Sequence, residues 1–232
     1  AGRREGQGAL RDALHLTKAG DDPGPAGRIL RQWSRAVARP ISAAGLARAL
    51  EGIAPERIAP ERIAFCLDTA GAGPVDRAAR AIEAVLAGNP RAATAALILG
   101  DAVLSKATGR DHVLPLLSLA LKPRDMARSG DALRLACHRA VAGGARQAVP
   151  LAAELARAAA RLRAAAPKLR AKGAGRAADL FLSRDALAPA ALAREIHGSM
   201  SDRAARRLCD RLVGLGALRE LTGRDSFRLY GL

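Results

Sequence analysis

Apolar residues recur three and four positions apart along most of this chain, so the pattern predicts helix after helix. A first helix is expected over 8–18, stopped by Gly20-Asp-Asp-Pro-Gly-Pro25. The next opens at Asp22-Pro23, a cap followed by a first-turn proline, and puts Ala26, Ile29, Leu30, Trp33 and Val37 on one side. Further helices are expected over 42–51, 75–87 and 90–106, and over 112–121 with Asp111 as its cap. Then come 127–141, ended by Gly143-Gly144, and an alanine-rich 150–166 stopped before Pro167. The segments 90–106 and 112–121 are the most apolar and are the expected centre of a helical body. Between 53 and 64 the pattern is interrupted by a perfect tandem, Ile53-Ala-Pro-Glu-Arg57 and Ile58-Ala-Pro-Glu-Arg62. A five-residue period is too short for a solenoid and reads as a duplication that lengthens a connection.

The pattern changes after 166. Residues 167–174 are basic and glycine-punctuated and read as a linker, which either adds phosphate contacts or is simply solvated. Beyond it, 175–232 reads as a winged helix-turn-helix: a short helix over 176–183, a second opening at Pro189, and a third opening at Ser201. Ser201 is a good N-cap and Asp202 suits the positive end of the helix dipole. Ala205, Leu208, Leu212 and Leu215 form one stripe, while Arg203, Arg207 and Arg211 lie four apart on another face with Arg206 beside them. Gly216 is placed to end the helix in a left-handed conformation. Alternation over 217–221 and 226–230, around Thr222-Gly-Arg-Asp225, predicts a two-stranded hairpin with Phe227 and Leu229 inward. Arg224 falls at its tip, and Arg219 and Arg228 face outward. The fold class is therefore mainly α: a multi-helix body over 1–166, a linker, and a C-terminal winged helix-turn-helix with a two-stranded hairpin.

Charge adds a partner class. Lys and Arg number 38 against 22 Asp and Glu, a net charge of +16 in 232 residues. That excess favours polyanions, although an Ala- and Arg-dominated composition also follows from GC-rich coding. Aromatic residues make up only 2% of the chain, which argues against a reader of single strands, since those stack bases on aromatic platforms. Cys66, Cys137 and Cys209 are odd in number and widely spaced, so they read as reduced packing residues. No secretory h-region opens the chain and no apolar run is long enough to span a bilayer, so a cytoplasmic protein with no membrane contact is expected. The opening Ala-Gly-Arg-Arg-Glu-Gly suits a start inside a longer natural chain.

Chemistry-bearing patterns are scarce. His15, His112, His138 and His197 show no metal-ligand spacing, and there is no phosphate-loop, nucleophile-elbow or zinc-protease motif. Neither metal nor cofactor is expected, and the chain does not read as an enzyme. Cys137 and His138 are neighbours on a helix and point about 100° apart. An enzymatic alternative would need a pocket within 90–145 gathering His112, Cys137 or His138 beside a carboxylate.

Several segments together resemble a bacterial family catalogued as domain of unknown function 1403. They are Ala9-Leu-Arg-Asp-Ala-Leu-His-Leu16 with Gly20-Asp-Asp-Pro-Gly-Pro-Ala-Gly-Arg28, and Gly100-Asp-Ala-Val-Leu104 leading to His112-Val-Leu-Pro-Leu-Leu117. Near the end they are Ala166-Pro-Lys-Leu-Arg-Ala-Lys-Gly-Ala174, Ser201-Asp-Arg-Ala-Ala-Arg-Arg-Leu208, Arg219-Glu-Leu-Thr-Gly-Arg224 and Phe227-Arg-Leu-Tyr-Gly231. The similarity spans nearly the whole chain, with residues 53–62 departing from it. It implies a bacterial protein with a genuine C-terminus and lends no substrate.

These readings converge on a double-stranded-DNA-binding protein, a transcriptional regulator by type. Ser201, Arg203, Arg206, Arg207, Arg211, Arg224 and Arg228 are its candidate contacts. The helical body would supply a homodimer or protein-partner surface. The main rival is an interaction or scaffold protein whose winged helix docks another protein.

Overall fold

The computed structural model describes residues 8, 10–12, 22, 24–51, 58–169, 171–196, 200–223 and 227–232. It is mainly helical, with a small two-stranded antiparallel sheet at the C-terminal end. Two compact units divide between residues 148 and 149.

In the first unit, α1 (Gly24–Val37), α2 (Ala43–Leu50), α3 (Pro60–Leu67), α4 (Pro74–Gly88) and α5 (Ala93–Ala107) gather around α5. The helix α5 is buried on every side from Ile98 to Ser105 because small residues let its neighbours come close. A methyl group on Gly100 would lie 2.7 Å from Ile82 Cγ1, and Ala78, Ala79 and Ala81 line the facing side of α4. Each leucine or isoleucine sealed in this contact contributes about 1.5–3 kcal/mol. The second copy of the tandem repeat supplies Pro60 as the first residue of α3, while 52–57 lie outside the described residues. Asp22 accepts from the Gly24 N–H at the start of α1. The inward line of α1 is Gly27, Gln32 and Ala36 rather than Ile29, which is exposed.

Burying a carboxylate at the centre of a helical core demands a reason, and Asp101 has one. It accepts from the backbone N–H groups of Leu116 (3.0 Å), Leu117 (2.7 Å) and Ser118 (3.1 Å), so it caps α6 (Leu117–Ala120) from another helix. Ser105 accepts from the Leu114 N–H in the same way. The expected helix over 112–121 is therefore corrected to four residues. Pro115 lacks a donor and disfavours helix at Leu114, and α5 takes up the N–H groups that a helix would bond internally. Burial outweighs these hydrogen bonds and raises the Asp101 carboxyl to about 6.

After α7 (Pro123–Met126), α8 runs unbroken from Gly130 to Ala165, with Glu83 accepting from the Gly130 N–H at its start. The expected break at Gly143-Gly144 and fresh start at Pro150 are both corrected. A methyl group on Gly144 would clash with the Leu116 backbone carbonyl, so this glycine permits a close approach and does not end the helix. Pro150 omits one N–H of the ladder at an exposed position and is carried by strong helix formers on both sides.

The second unit begins inside α8. Leu162, Ala165 and Ala166 pack with α9 (Ala174–Ser183), α10 (Pro189–Glu195) and α11 (Asp202–Gly214), so this stretch belongs to the C-terminal core. Phe181, Leu192, Ile196 and Leu212 are fully buried there. The sheet is β1 (Arg219–Glu220) and β2 (Tyr230–Gly231), paired Arg219 to Gly231 and Glu220 to Tyr230. It is shorter than the alternation suggested. Ala217 and Leu218 instead donate to the Leu212 carbonyl and close the end of α11. Phe227 is 74% exposed with φ 57°, and only Leu229 turns inward. Leu187, between α9 and α10, exchanges backbone hydrogen bonds with Tyr230 at 2.9 and 3.0 Å and adds a third, one-residue rung.

Gly144→Ala should destabilise by about 1–3 kcal/mol through overpacking. Gly143→Ala, whose methyl meets only Ala120 Cβ at 3.3 Å, should change stability far less; calorimetry of the two variants checks this. Asp101 carries a pH signature of opposite sign to most carboxylates. Its folded value lies above the ordinary 3.8, so the native state holds the proton longer and stability falls as pH rises from about 4 to 6. The loss amounts to about 3 kcal/mol at 1.36 kcal/mol per unit. Denaturant unfolding at pH 4 and pH 7 should show that loss in the wild type relative to Asp101→Asn.

Candidate nucleic-acid interface

α11 is sharply two-sided. Ala205, Leu208, Cys209 and Leu212 are buried, and Arg203, Arg206, Arg207 and Arg211 are exposed. Ser201 caps it, accepting from the Ala204 N–H at 3.3 Å, and Asp202 stands in the first turn. Gly216 closes it at φ 65°, where a residue with a Cβ is strained. Leu215, expected in the stripe, is exposed at the C-cap, and Cys209 takes its place. Burial, with the neighbouring Asp210 charge, pushes the Cys209 thiol up to about 12, so it is an inert packing group.

At about 100° per residue, the four arginines cover an arc with Arg206 at one edge and Arg211 at the other. None of the four makes an ion pair among the described residues. Asp210 shares the arc, between Arg203 and Arg206, and accepts from the Tyr230 hydroxyl at 2.9 Å. Burial and the bond to Asp210 together raise the Tyr230 phenol.

A cleft lies on each side of this ridge. The hairpin side holds about 550 Å³ and includes Arg206, Asp210, Phe227, Arg228 and Tyr230. The other side holds about 610 Å³, where Lys168 and Lys172 face Arg207 and Arg211 over Met200 and Leu208.

Of the residues singled out from sequence, Arg203, Arg206, Arg207 and Arg211 share the exposed face of α11, and Ser201 is its exposed N-cap. Arg228 is exposed too but engaged: it hydrogen-bonds the Tyr230 side chain and its charge acts on Glu220. Glu220 organises the outgoing limb of the hairpin, accepting from the Thr222 N–H (2.8 Å), the Thr222 hydroxyl and the Gly223 N–H (2.9 Å). Burial raises its carboxyl, but these bonds and Arg228 prevail and hold it below the ordinary value. Arg224 lies outside the described residues. Arg219, turned outward as its alternation required, pairs with Glu154 at 2.8 Å.

Sequence reasoning left the basic linker open between phosphate contact and solvation without singling out Lys168 or Lys172, and it missed Asp210 as the acid on the face of α11. The lysines were visible only as linker composition, and nothing local shows which side of α11 they reach. In the body, Cys137 is fully buried, its thiol raised to about 12 by burial and Asp101, while His138 and His112 are exposed. Among the described residues no group of three or more His, Cys, Asp or Glu is placed to hold a metal. No described helix is long and apolar enough to cross a membrane.

A mainly helical protein with a basic helix beside a small antiparallel sheet is thus the class that the fold defines. The chain belongs to the family described as protein of unknown function (DUF1403), which matches residues 1–232. No curated protein and no solved structure matches the chain.

Ser201→Ala should cost the C-terminal unit about 1 kcal/mol by leaving a first-turn N–H uncapped, while Ser201→Asp should restore most of it. Equilibrium unfolding of the three proteins checks this.

Proposed function

We propose that the C-terminal unit is a winged helix-turn-helix that binds double-stranded DNA, and that the protein acts as a transcriptional regulator. The observation that carries this reading is the helix α11. Its apolar side is sealed in the core while four arginines, without acidic partners among the described residues, stand on the free side. That division leaves one face for phosphates and base edges, and a helix of this diameter fits a major groove. The order of elements supports it: α9, the Leu187 rung, α10, α11, then a hairpin whose last strand pairs back to Leu187. Arg203, Arg206 and Arg207 are assigned to the groove, Ser201 and Arg211 to the backbone, and Arg224 with Arg228 to the wing.

A second reading, docking to a protein, draws on a different feature. Residues 149–157 of α8 are exposed throughout and include Val149, Leu151 and Leu155, with Glu154 and Arg157 the charges among them. Such a surface suits a partner or a second copy, and on this reading the winged helix itself grips protein.

Duplex titrations across a salt series decide between the two. If six phosphates are neutralised, log affinity falls with log salt at a slope of about −5. Changing Arg203, Arg206 and Arg207 together to Ala should weaken binding roughly 100-fold at physiological salt. A flat salt response, or wild-type affinity in that triple variant, removes the DNA reading. Capture of a protein by a chain that ignores duplex favours the second.

A further inference from the structure

The two flanks of α11 differ in charge. On the hairpin side Arg206 stands beside Asp210, and Arg228 is engaged with Tyr230 and acts on Glu220, so positive and negative groups are interleaved. On the other side Lys168, Lys172, Arg207 and Arg211 converge, and among the described residues no carboxylate lines the cleft. Lys168 and Lys172 are exposed and come from the segment before α9, whereas the arginines come from α11, so distant parts of the chain build one site. None of the four cations makes an ion pair among the described residues. Like charges gathered over an apolar floor repel one another, and an anion entering the cleft relieves that repulsion.

We infer that this cleft seats consecutive backbone phosphates of a DNA duplex and supplies most of the salt-dependent part of its binding. The inference rests on the duplex-binding reading and adds to it where the phosphate energy resides. Arg207 and Arg211 lie one turn apart, about 6 Å along the helix axis, so they track a strand lengthwise. Lys168 and Lys172 close the opposite wall. Lysines are compact, strongly hydrated point charges that suit phosphate oxygens better than the planar edges of bases. The contacts therefore carry no sequence preference and fix the position from which Arg203 and Arg206 read the groove.

The experiment compares the full chain, Lys168→Ala/Lys172→Ala, and Arg139→Ala/Arg146→Ala, which removes the same charge from exposed positions on α8. Each is titrated with one 25-base-pair duplex and with a scrambled one, from low to physiological salt, after circular dichroism has verified folding. The lysine variant should lose about 2 from the magnitude of the salt slope. It should also lose roughly tenfold in affinity, equally for both duplexes. The arginine control should keep the wild-type slope. Wild-type binding with an unchanged slope in the lysine variant overturns this inference and leaves the duplex reading standing. An equal loss in the control shows a diffuse field rather than a site and also overturns it. A wild-type chain that ignores duplex overturns both.

Discussion

Tyr230 is the point at which the C-terminal unit is pinned. Its backbone exchanges two hydrogen bonds with Leu187 and pairs with Glu220, so three stretches of chain meet there. Its ring is buried and its hydroxyl donates to Asp210, on the same face of α11 as the arginines. The pose of α11 against the hairpin is therefore fixed by one side chain with an apolar body and a polar tip. Gly231 beside it is equally constrained, because a methyl group there would lie 2.7 Å from the Asp185 carbonyl. A two-residue strand is too short to hold itself by ladder bonds, and this one persists because its side chains join the helical core.

The first unit solves a different problem with similar economy. A chain this rich in alanine has little volume to fill a core, so its helices must approach closely. Gly100 against Ile82 and Gly144 against the Leu116 backbone are where that closeness becomes obligatory. Close approach lays residues 113–118 against α5, where Val113 and Leu117 are buried and the rest half-buried, and their N–H groups find partners within the protein. Asp101 and Ser105 supply them from inside α5. Without a short helix that needs capping, a carboxylate in that position would be an unpaired buried charge. The same logic applies to Asp76, which takes the Ala72 N–H of the Gly71-Ala-Gly73 turn and pairs with Arg80 and Arg134.

What could be read in the sequence was what local chemistry decides. Ser201 as a cap, Gly216 as a left-handed stop, Pro60 and Pro189 as first residues, and the Ala205, Leu208 and Leu212 stripe all follow from the properties of one turn of chain. Features set by long-range contact were misread or unseen. The Gly143-Gly144 pair has the local appearance of a break, and only the Leu116 carbonyl, far away in sequence, reveals its use. The helix at 112–121 looked continuous because Asp101 gives no local sign of competing for its N–H groups. Leu187 could not be recognised as a rung, since a one-residue bridge has no periodicity. The exposed arginine face was legible from spacing alone, whereas the lysines across the cleft were legible only as composition.

That last difference bears on how charge should be weighed in a chain of this composition. A net charge of +16 accompanies an Ala- and Arg-dominated composition and is compatible with cations scattered over the whole surface. Some are matched by carboxylates: Arg80 and Arg134 with Asp76, Lys106 with Asp68, Arg184 with Glu195, Arg219 with Glu154. Exposed pairs of this kind add little to stability, about 0–1 kcal/mol each, but they cancel locally and leave no field to attract a polyanion. Arg207 and Arg211 of α11 stand apart because, with Lys168 and Lys172, they are unmatched among the described residues and line one cleft together. Fields from unmatched charges add where the charges are close together and fade within a Debye length of about 8 Å elsewhere. What gives this flank of α11 its electrostatic character is therefore the clustering of unmatched cations from two segments around one cleft, rather than the total charge of the chain.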